Sequence, residues 1–190
     1  MSLTFDPERH EYRLDGVVIP HVTGLLAGLY SLDMVPPAVL DQARQRGVAV
    51  HKMVELWANN DLDESTLPEW IRPVFDQWLK FVAETDLKVI ASERRVYHKS
   101  YRYAGTLDLR CTMRAYKGEG IIDIKRSFMA GHAIRLQTAA YAEADGGVSW
   151  RGALKLKEGD PYRFEPHEDR RDFSDFLVCL RYHQIKEQMQ

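Results

Sequence analysis

Three strand-like segments follow one another between residues 87 and 127, and helical patterns lie on both sides of them. The segments read LKVIASERRVYHK, YRYAGTLDLRCTMRAY and GIIDIKRS. All three are rich in β-branched or aromatic residues, which are typical of strands, and the first two form either two strands or a strand and a hairpin. Strands enclosed by helices predict a mixed α/β fold, because both faces of such a sheet need an apolar cover.

The flanking segments show apolar residues at helical spacing. Proline is favoured in the first turn of a helix, so Pro36–Pro37 and Pro68 are expected to begin two of the helices. The expected helices cover residues 37–59, 68–85, 131–144 and 168–188. Two further strands are expected after the third helix, in VSWRGALKLK and PYRFEPH.

The first residues of the chain predict a hairpin. Residues 3–19 carry strand-forming side chains on both sides of Asp15–Gly16, a pair that favours a tight turn. A short helical segment is expected after Pro20.

Length and composition exclude several classes of protein. A chain of 190 residues that is 45% hydrophobic is long enough for one globular domain with a core, so we expect a single domain over residues 1–190. The sequence has no apolar run of about 18 residues and no signal-peptide core at its start, so a cytoplasmic protein without a membrane span is expected. Its two cysteines, Cys111 and Cys179, are too few for a disulfide framework or a four-cysteine metal site.

The formal net charge of −2 gives no preference for nucleic acid, but the charge is unevenly distributed. Residues 94–126 hold nine basic and three acidic residues, so this segment carries +6 and the rest of the chain −8. Such a segment is typical of a surface that follows phosphates, and solvated cations on a sheet edge are the alternative. The candidate nucleic-acid contacts here are Arg94, Arg95, Arg102 and Arg126.

The segment IIDIKRS holds a carboxylate beside an ammonium group. Side chains alternate along a strand, so Asp123 and Lys125 share one face while Ile122 and Ile124 share the other. The carboxylate of such a pair can bind Mg²⁺, and the lysine can orient a water or stabilise the charge of a phosphate. An acid two residues before a lysine also arises by chance, and Asp86–Lys88 is a second example in this chain.

A second acid lies upstream on an otherwise apolar strand. In AGTLDLR, Leu107 and Leu109 are expected on one face and Asp108 on the other, 15 residues before Asp123. Adjacent strands could place both acids over one cation, since Mg²⁺ needs only one or two carboxylates besides water and phosphate. An aspartate on an edge strand facing water is the alternative.

Three further polar residues have favourable positions. Gln137 and Tyr141 are four residues apart and therefore share a face of the helix that follows the Asp123–Lys125 strand. His51 lies inside an apolar helical stretch, where a histidine is more often a structural residue than a ligand. His51 and Glu55 do not make the two-histidine zinc pattern.

Five segments taken together, RGVAVH, SERRVY, YAGTLDLR, IIDIKRS and LQTAAY, resemble the RecB-like branch of the PD-(D/E)XK nuclease superfamily. The opening FDPERHEYRLDGVVIPHVTGLL is similar to the N-terminus of phage-encoded members. The resemblance extends from about residue 5 to 145 and implies a restriction-endonuclease-like αβββαβ core, with the N-terminal hairpin and helices before it and a helix after it.

The resemblance also implies roles for individual residues. Asp108 and Asp123 match the two metal-binding acids, and Lys125 matches the active-site lysine. His51 matches a helix histidine that approaches the metal, and Glu93 an early acidic position on the first strand. The residues that match the QxxxY motif, which contacts DNA and steadies the lysine, are Gln137 and Tyr141. The sequence departs from the family pattern at Leu107, where a proline is usual, and at His21, where a serine is usual.

The activity implied is hydrolysis of DNA phosphodiesters with Mg²⁺ or Mn²⁺ as cofactor, most simply as a phage-type exonuclease acting in recombination or repair. The alternatives are a structure-specific endonuclease, a catalytically silent DNA-binding protein on the same fold, and an unrelated α/β protein with an accidental motif. DNA is the expected partner, with a single-strand annealing protein or a helicase and a homo-oligomer as further possibilities. The expected location is the cytoplasm of a bacterial or phage-infected cell.

Overall fold

The computed structural model describes residues 2–30, 35–127 and 130–189. Eight strands and five α-helices are numbered in chain order. The strands are β1 (Leu3–Asp6), β2 (Glu11–Leu14), β3 (Val17–Ile19), β4 (Lys88–His98), β5 (Tyr103–Thr112), β6 (Gly120–Lys125), β7 (Trp150–Lys155) and β8 (Arg163–Pro166). The helices are α1 (Val22–Leu26), α2 (Pro37–Ala58), α3 (Arg72–Thr85), α4 (Gly131–Asp145) and α5 (Asp172–Gln188).

A five-stranded mixed sheet forms the centre of the fold, in the order β4-β5-β6-β7-β8. β6 and β7 are parallel, and α4 provides the crossover between them, whereas the other neighbours are antiparallel. The expected mixed α/β fold with an αβββαβ order is confirmed, because α3, β4, β5, β6, α4 and β7 follow one another in this way.

The N-terminal hairpin extends into a separate three-stranded antiparallel sheet, β1-β2-β3. Asp15 and Gly16 have positive φ angles of 48° and 83°, so the predicted tight turn is confirmed at this pair. The small sheet is tied to β5, because Ala104 N donates to Pro20 O at 3.0 Å and the Tyr12 hydroxyl lies 2.7 Å from Thr106 Oγ1.

Two apolar cores lie on opposite faces of the main sheet. The first packs α2 and α3 against the sheet through residues such as Met53, Trp78 and Ile122, and the second packs α1, α4 and α5 through Leu26, Leu136 and Phe176. No helix within the described ranges combines the length and the apolar character needed to cross a membrane.

A buried carboxylate joins α5 to the rest of the fold. Asp172 is fully buried, and its two oxygens lie 2.7 Å from Arg135 of α4 and 2.7 Å from Arg151 of β7. These guanidinium groups hold the pKa of Asp172 below its usual range even though burial alone would raise it.

We expect Asp172→Asn to lower the free energy of unfolding by about 3 kcal/mol, because it leaves two arginines without their buried counter-ion. Urea unfolding followed by circular dichroism measures the change. The matched control is Asp175→Asn on the same helix, where the side chain is exposed, and its effect should stay within about 0.5 kcal/mol. Equal stabilities for the two variants would contradict the role assigned to Asp172.

Candidate metal centre

The candidate site is built where β5 separates from β6. The two strands pair from Leu109↔Ile122 to Cys111↔Gly120, and on the Asp108 side of Leu109 the described residues of β5 and β6 do not pair. Instead, Asp108 Oδ2 accepts a hydrogen bond from the backbone N–H of Ile124 at 2.6 Å. The carboxylate takes the place of a strand carbonyl and therefore lies between the separating strands.

Glu93 of β4 lies opposite Asp108, between the pairs Ser92↔Leu109 and Arg94↔Leu107. Its φ angle is +47°, a left-handed conformation that a residue with a side chain adopts only at an energetic cost. Such strain within a strand is a reason to suspect a functional position.

The side chains of β5 change faces at the same point. Leu107 packs in the core beneath α4, whereas Leu109 packs in the core beneath α2 and α3. The expectation that these two leucines share one face is therefore wrong. The irregular geometry around Glu93 and Asp108 accounts for the exchange, since regular strands keep residues i and i+2 on one side.

His51 of α2 completes a group of three potential ligands. Its Nδ1 lies 3.4 Å from Asp108 Oδ1 and 4.0 Å from Glu93 Oε1. One ligand atom from each of the three residues lies within 4.8 Å of the other two. One imidazole nitrogen and two carboxylates, still partly open to solvent, are donors that fit Mn²⁺ or Mg²⁺ with water completing the coordination.

Asp123 and Lys125 lie beside this group as an ion pair. Lys125 Nζ is 2.5 Å from Asp123 Oδ2, and Asp123 is only 2% exposed. The predicted sharing of a face by these two residues is confirmed, and Ile122 and Ile124 pack into the opposite core as expected. Asp123 Oδ2 is buried, and the Lys125 ammonium group faces it.

Gln137 of α4 is hydrogen-bonded to Asp123 and to Tyr141, one turn further along the same helix. Gln137 Nε2 donates to Asp123 Oδ1 at 2.9 Å and also to the Tyr141 hydroxyl at 3.2 Å. Tyr141 is 3% exposed. The helical spacing predicted for the pair is confirmed, and the hydrogen bond from Gln137 connects it to Asp123.

The close approach of Tyr141 depends on Gly105, a residue that the sequence reasoning did not single out. A Cβ atom at Gly105 would lie 2.5 Å from Tyr141 Cε1. The available signal was an isolated glycine inside a strand pattern, which often marks a close approach.

The electrostatics of the site show an excess of carboxylates. Burial, and then the charge of Asp108, raises the pKa of Glu93 to about 7. Burial raises the pKa of Asp123 to about 6 although Lys125 opposes this. Three acids thus share a poorly solvated space with one lysine and one histidine, a condition that a divalent cation would relieve.

Neighbouring carboxylates raise the pKa values of the two basic side chains. Burial alone would lower the pKa of His51, but Asp108 raises it above its usual value, and the imidazole in turn keeps the pKa of Asp108 low. Burial would also lower the pKa of Lys125, but the carboxylates of Asp123 and Asp108 raise it. Lys125 is therefore an ammonium ion at neutral pH.

The four arginines predicted to contact nucleic acid have different environments. Arg94 Nε lies 2.8 Å from Asp145 Oδ1, and Arg126 forms an ion pair with Glu158 at 2.5 Å. Arg95 and Arg102 are exposed, and the Arg95 guanidinium lies over the Phe5 ring. Two of the four charges are thus neutralised by acids, so the charge of the 94–126 segment overstates the positive surface that it offers.

No protein-family model and no curated protein matches this chain. Among solved structures, it is similar to an alkaline exonuclease from Laribacter hongkongensis, with 16% sequence identity and a TM-score of 0.36. The match covers 88% of this chain and 80% of that one. A likeness this distant carries no argument about activity, so the function has to follow from the site.

We expect Asp108→Asn and Glu93→Gln each to weaken Mn²⁺ binding by more than about tenfold, since even residues that only support metal ligands have effects of that size. Isothermal titration calorimetry on the chelator-treated protein measures the dissociation constant. Asp86→Asn is the matched control, because Asp86 belongs to the other acid–x–Lys triplet and lies outside the site. Unchanged binding in both site variants would contradict the ligand assignment.

Gly105→Ala should destabilise the protein by about 1–3 kcal/mol, because the new methyl group overlaps the Tyr141 ring. Thermal unfolding provides the measurement. Gly47→Ala is the control, since a Cβ at this position in α2 meets nothing within 4 Å, and alanine in a helix should stabilise by about 0.5–1 kcal/mol. A neutral Gly105→Ala variant would show that Tyr141 is not held closely against β5.

Proposed function

We propose that this chain is a divalent-metal-dependent DNA nuclease of the RecB-like PD-(D/E)XK type, formed as a single domain over residues 1–190. The observation that carries the proposal is the Asp123–Lys125 ion pair lying next to the ligand group of His51, Glu93 and Asp108. A cation site beside a fixed ammonium group is suited to hydrolysing a phosphodiester, whose negative charge must be stabilised.

The carboxylates of Asp108 and Glu93 and the imidazole of His51 would hold the cation, with Asp123 on the neighbouring strand β6. A bound Mg²⁺ or Mn²⁺ supplies a Lewis acid and lowers the pKa of an attacking water. This ligand set modifies the sequence expectation, in which Asp108, Asp123 and His51 hold the metal and Glu93 has a less defined catalytic place.

Lys125 acts as a charge stabiliser in this proposal. Because its Nζ is protonated and faces Asp123, it can donate hydrogen bonds to the scissile phosphate and to the attacking water. Asp123 has a pKa of about 6, so its carboxylate is a better acceptor than the protonated Lys125 for the proton of the attacking water. Gln137, backed by Tyr141, keeps the Asp123 carboxylate oriented.

DNA as substrate, and exonucleolytic action during phage-type recombination or repair, follow from the sequence resemblance. The same resemblance supports a cytoplasmic location, a single-strand annealing protein or a helicase as a partner, and assembly into a homo-oligomer. Structure-specific endonuclease action is the main alternative.

Asp123→Asn and Lys125→Met should each reduce Mg²⁺-dependent hydrolysis of end-labelled DNA by at least about 100-fold, because each removes a group that acts on the reacting atoms. Asp86→Asn and Lys88→Met are the matched controls, from the triplet that lies outside the site. Thermal unfolding of all four variants verifies that they are folded at the assay temperature. Full activity in both site variants would contradict the proposal, and DNA binding without cleavage by the wild type would favour the silent DNA-binding protein.

Linear and covalently closed circular DNA distinguish the two modes of cleavage. An exonuclease requires an end, so the wild-type protein should degrade the linear molecule and leave the closed circle intact under Mg²⁺. Nicking of the circle at a comparable rate would show endonuclease action instead.

A further inference from the structure

Four aromatic rings and one arginine form a group on the N-terminal sheet, which we call the aromatic patch: Phe5, His10, Tyr12, His21 and Arg95. The rings form a connected set, with centroid distances of 4.6 Å between Phe5 and Tyr12 and 5.3 Å between Phe5 and His10. His21 lies 4.8 Å from His10. The Arg95 guanidinium lies 5.6 Å from the centre of the Phe5 ring, within the range of a cation–π contact.

The patch has a buried floor and an accessible rim. Tyr12 is 2% exposed, and its hydroxyl is bonded to Thr106, so it serves to attach the small sheet to β5. His10 and Arg95 are exposed and Phe5 is half-buried. Attachment of the sheet accounts for Tyr12, but it requires neither the exposed imidazole nor the exposed guanidinium.

The patch adjoins the candidate metal centre. Arg95 pairs with Thr106 across β4 and β5, and each is two residues from the site, at Glu93 and Asp108 respectively. Two residues span about 7 Å along a strand. The patch therefore begins roughly one strand repeat from the carboxylates, on the side of the sheet that the N-terminal hairpin covers.

The chemistry of the patch fits single-stranded nucleic acid. Proteins bind unpaired strands by combining cations for the phosphates with aromatic rings on which bases stack, and the stacking tolerates any sequence. A duplex keeps its base faces stacked inside the helix and offers only phosphates and groove edges.

We propose that the aromatic patch binds unpaired bases of the strand whose phosphate lies at the metal centre, with the exposed His10 ring stacking on a base and Arg95 contacting the backbone. This inference rests on the proposed nuclease function and adds to it a place for a single-stranded part of the substrate. The proposed preference for single-stranded nucleic acid comes from contacts to bases as well as to phosphates, whereas a simple cationic surface would contact only the phosphates.

Fluorescence anisotropy of labelled oligonucleotides, with chelator present to prevent cleavage, tests the inference. The probes are oligo(dT) and an abasic oligonucleotide of the same length and charge. The wild-type protein should bind oligo(dT) more tightly. His10→Ala should weaken binding of oligo(dT) by about five- to tenfold and leave the abasic probe nearly unaffected, because a stacking surface is lost.

Arg95→Ala should weaken binding of both probes, because it removes a phosphate contact and the group held over Phe5. Arg181→Ala removes the same charge from an exposed position on α5 and is the control, expected to change neither affinity. Thermal unfolding verifies that the hairpin variants remain folded.

Equal affinity of the wild type for both probes, or an unchanged affinity for oligo(dT) in His10→Ala, would overturn the inference. The failure of the proposed function is distinguishable, because in that case the wild-type protein does not cleave DNA with Mg²⁺, whatever its affinity for the probes. Cleavage by the wild type together with unchanged oligo(dT) binding in His10→Ala would overturn the inference and leave the proposed nuclease function standing.

Discussion

The hydrogen bond from Ile124 N–H to the Asp108 carboxylate is the interaction on which the candidate site depends. It ends the pairing of β5 with β6 at Leu109 and fills the opening between the strands with a carboxylate instead of a carbonyl. Asp108 thereby faces His51 of α2 and Glu93 of β4. Because β6 continues in register with β7 on its other side, Asp123 and Lys125 keep a rigid support at the same opening.

The site joins two arrangements with different physical tasks. His51, Glu93 and Asp108 leave ligand atoms close together and partly open to solvent, so they can exchange protons for a cation. Asp123 and Lys125 are held more tightly, since Gln137 fixes the carboxylate and the carboxylate fixes the ammonium group. The two apolar cores keep α2 and α4 on opposite faces of the sheet, and each helix delivers its polar residues to the opening between β5 and β6.

Much of this fold can be predicted from the sequence, because strand and helix periodicities are local. Pro37 opens α2, Asp15–Gly16 form the hairpin turn, and the alternation in IIDIKRS gives the shared face of Asp123 and Lys125. The left-handed conformation of Glu93 could not be predicted from local sequence, since no glycine or turn pattern marks it. The packing of Leu107 and Leu109 into opposite cores, which accompanies this conformation, could not be predicted either. Arg94 is neutralised by Asp145, which lies 51 positions further along the chain, and Arg126 by Glu158, which lies 32 positions further along. No rule of local spacing relates these pairs.

The anomalous scattering of Mn²⁺ in crystals of the wild-type protein tests most directly whether His51, Glu93 and Asp108 form a metal site. We predict one strong manganese peak within coordination distance of His51 Nδ1 and of the carboxylates of Glu93 and Asp108. A manganese ion bound at another place, or bound here without a ligand from Asp108, would contradict this assignment of the metal site.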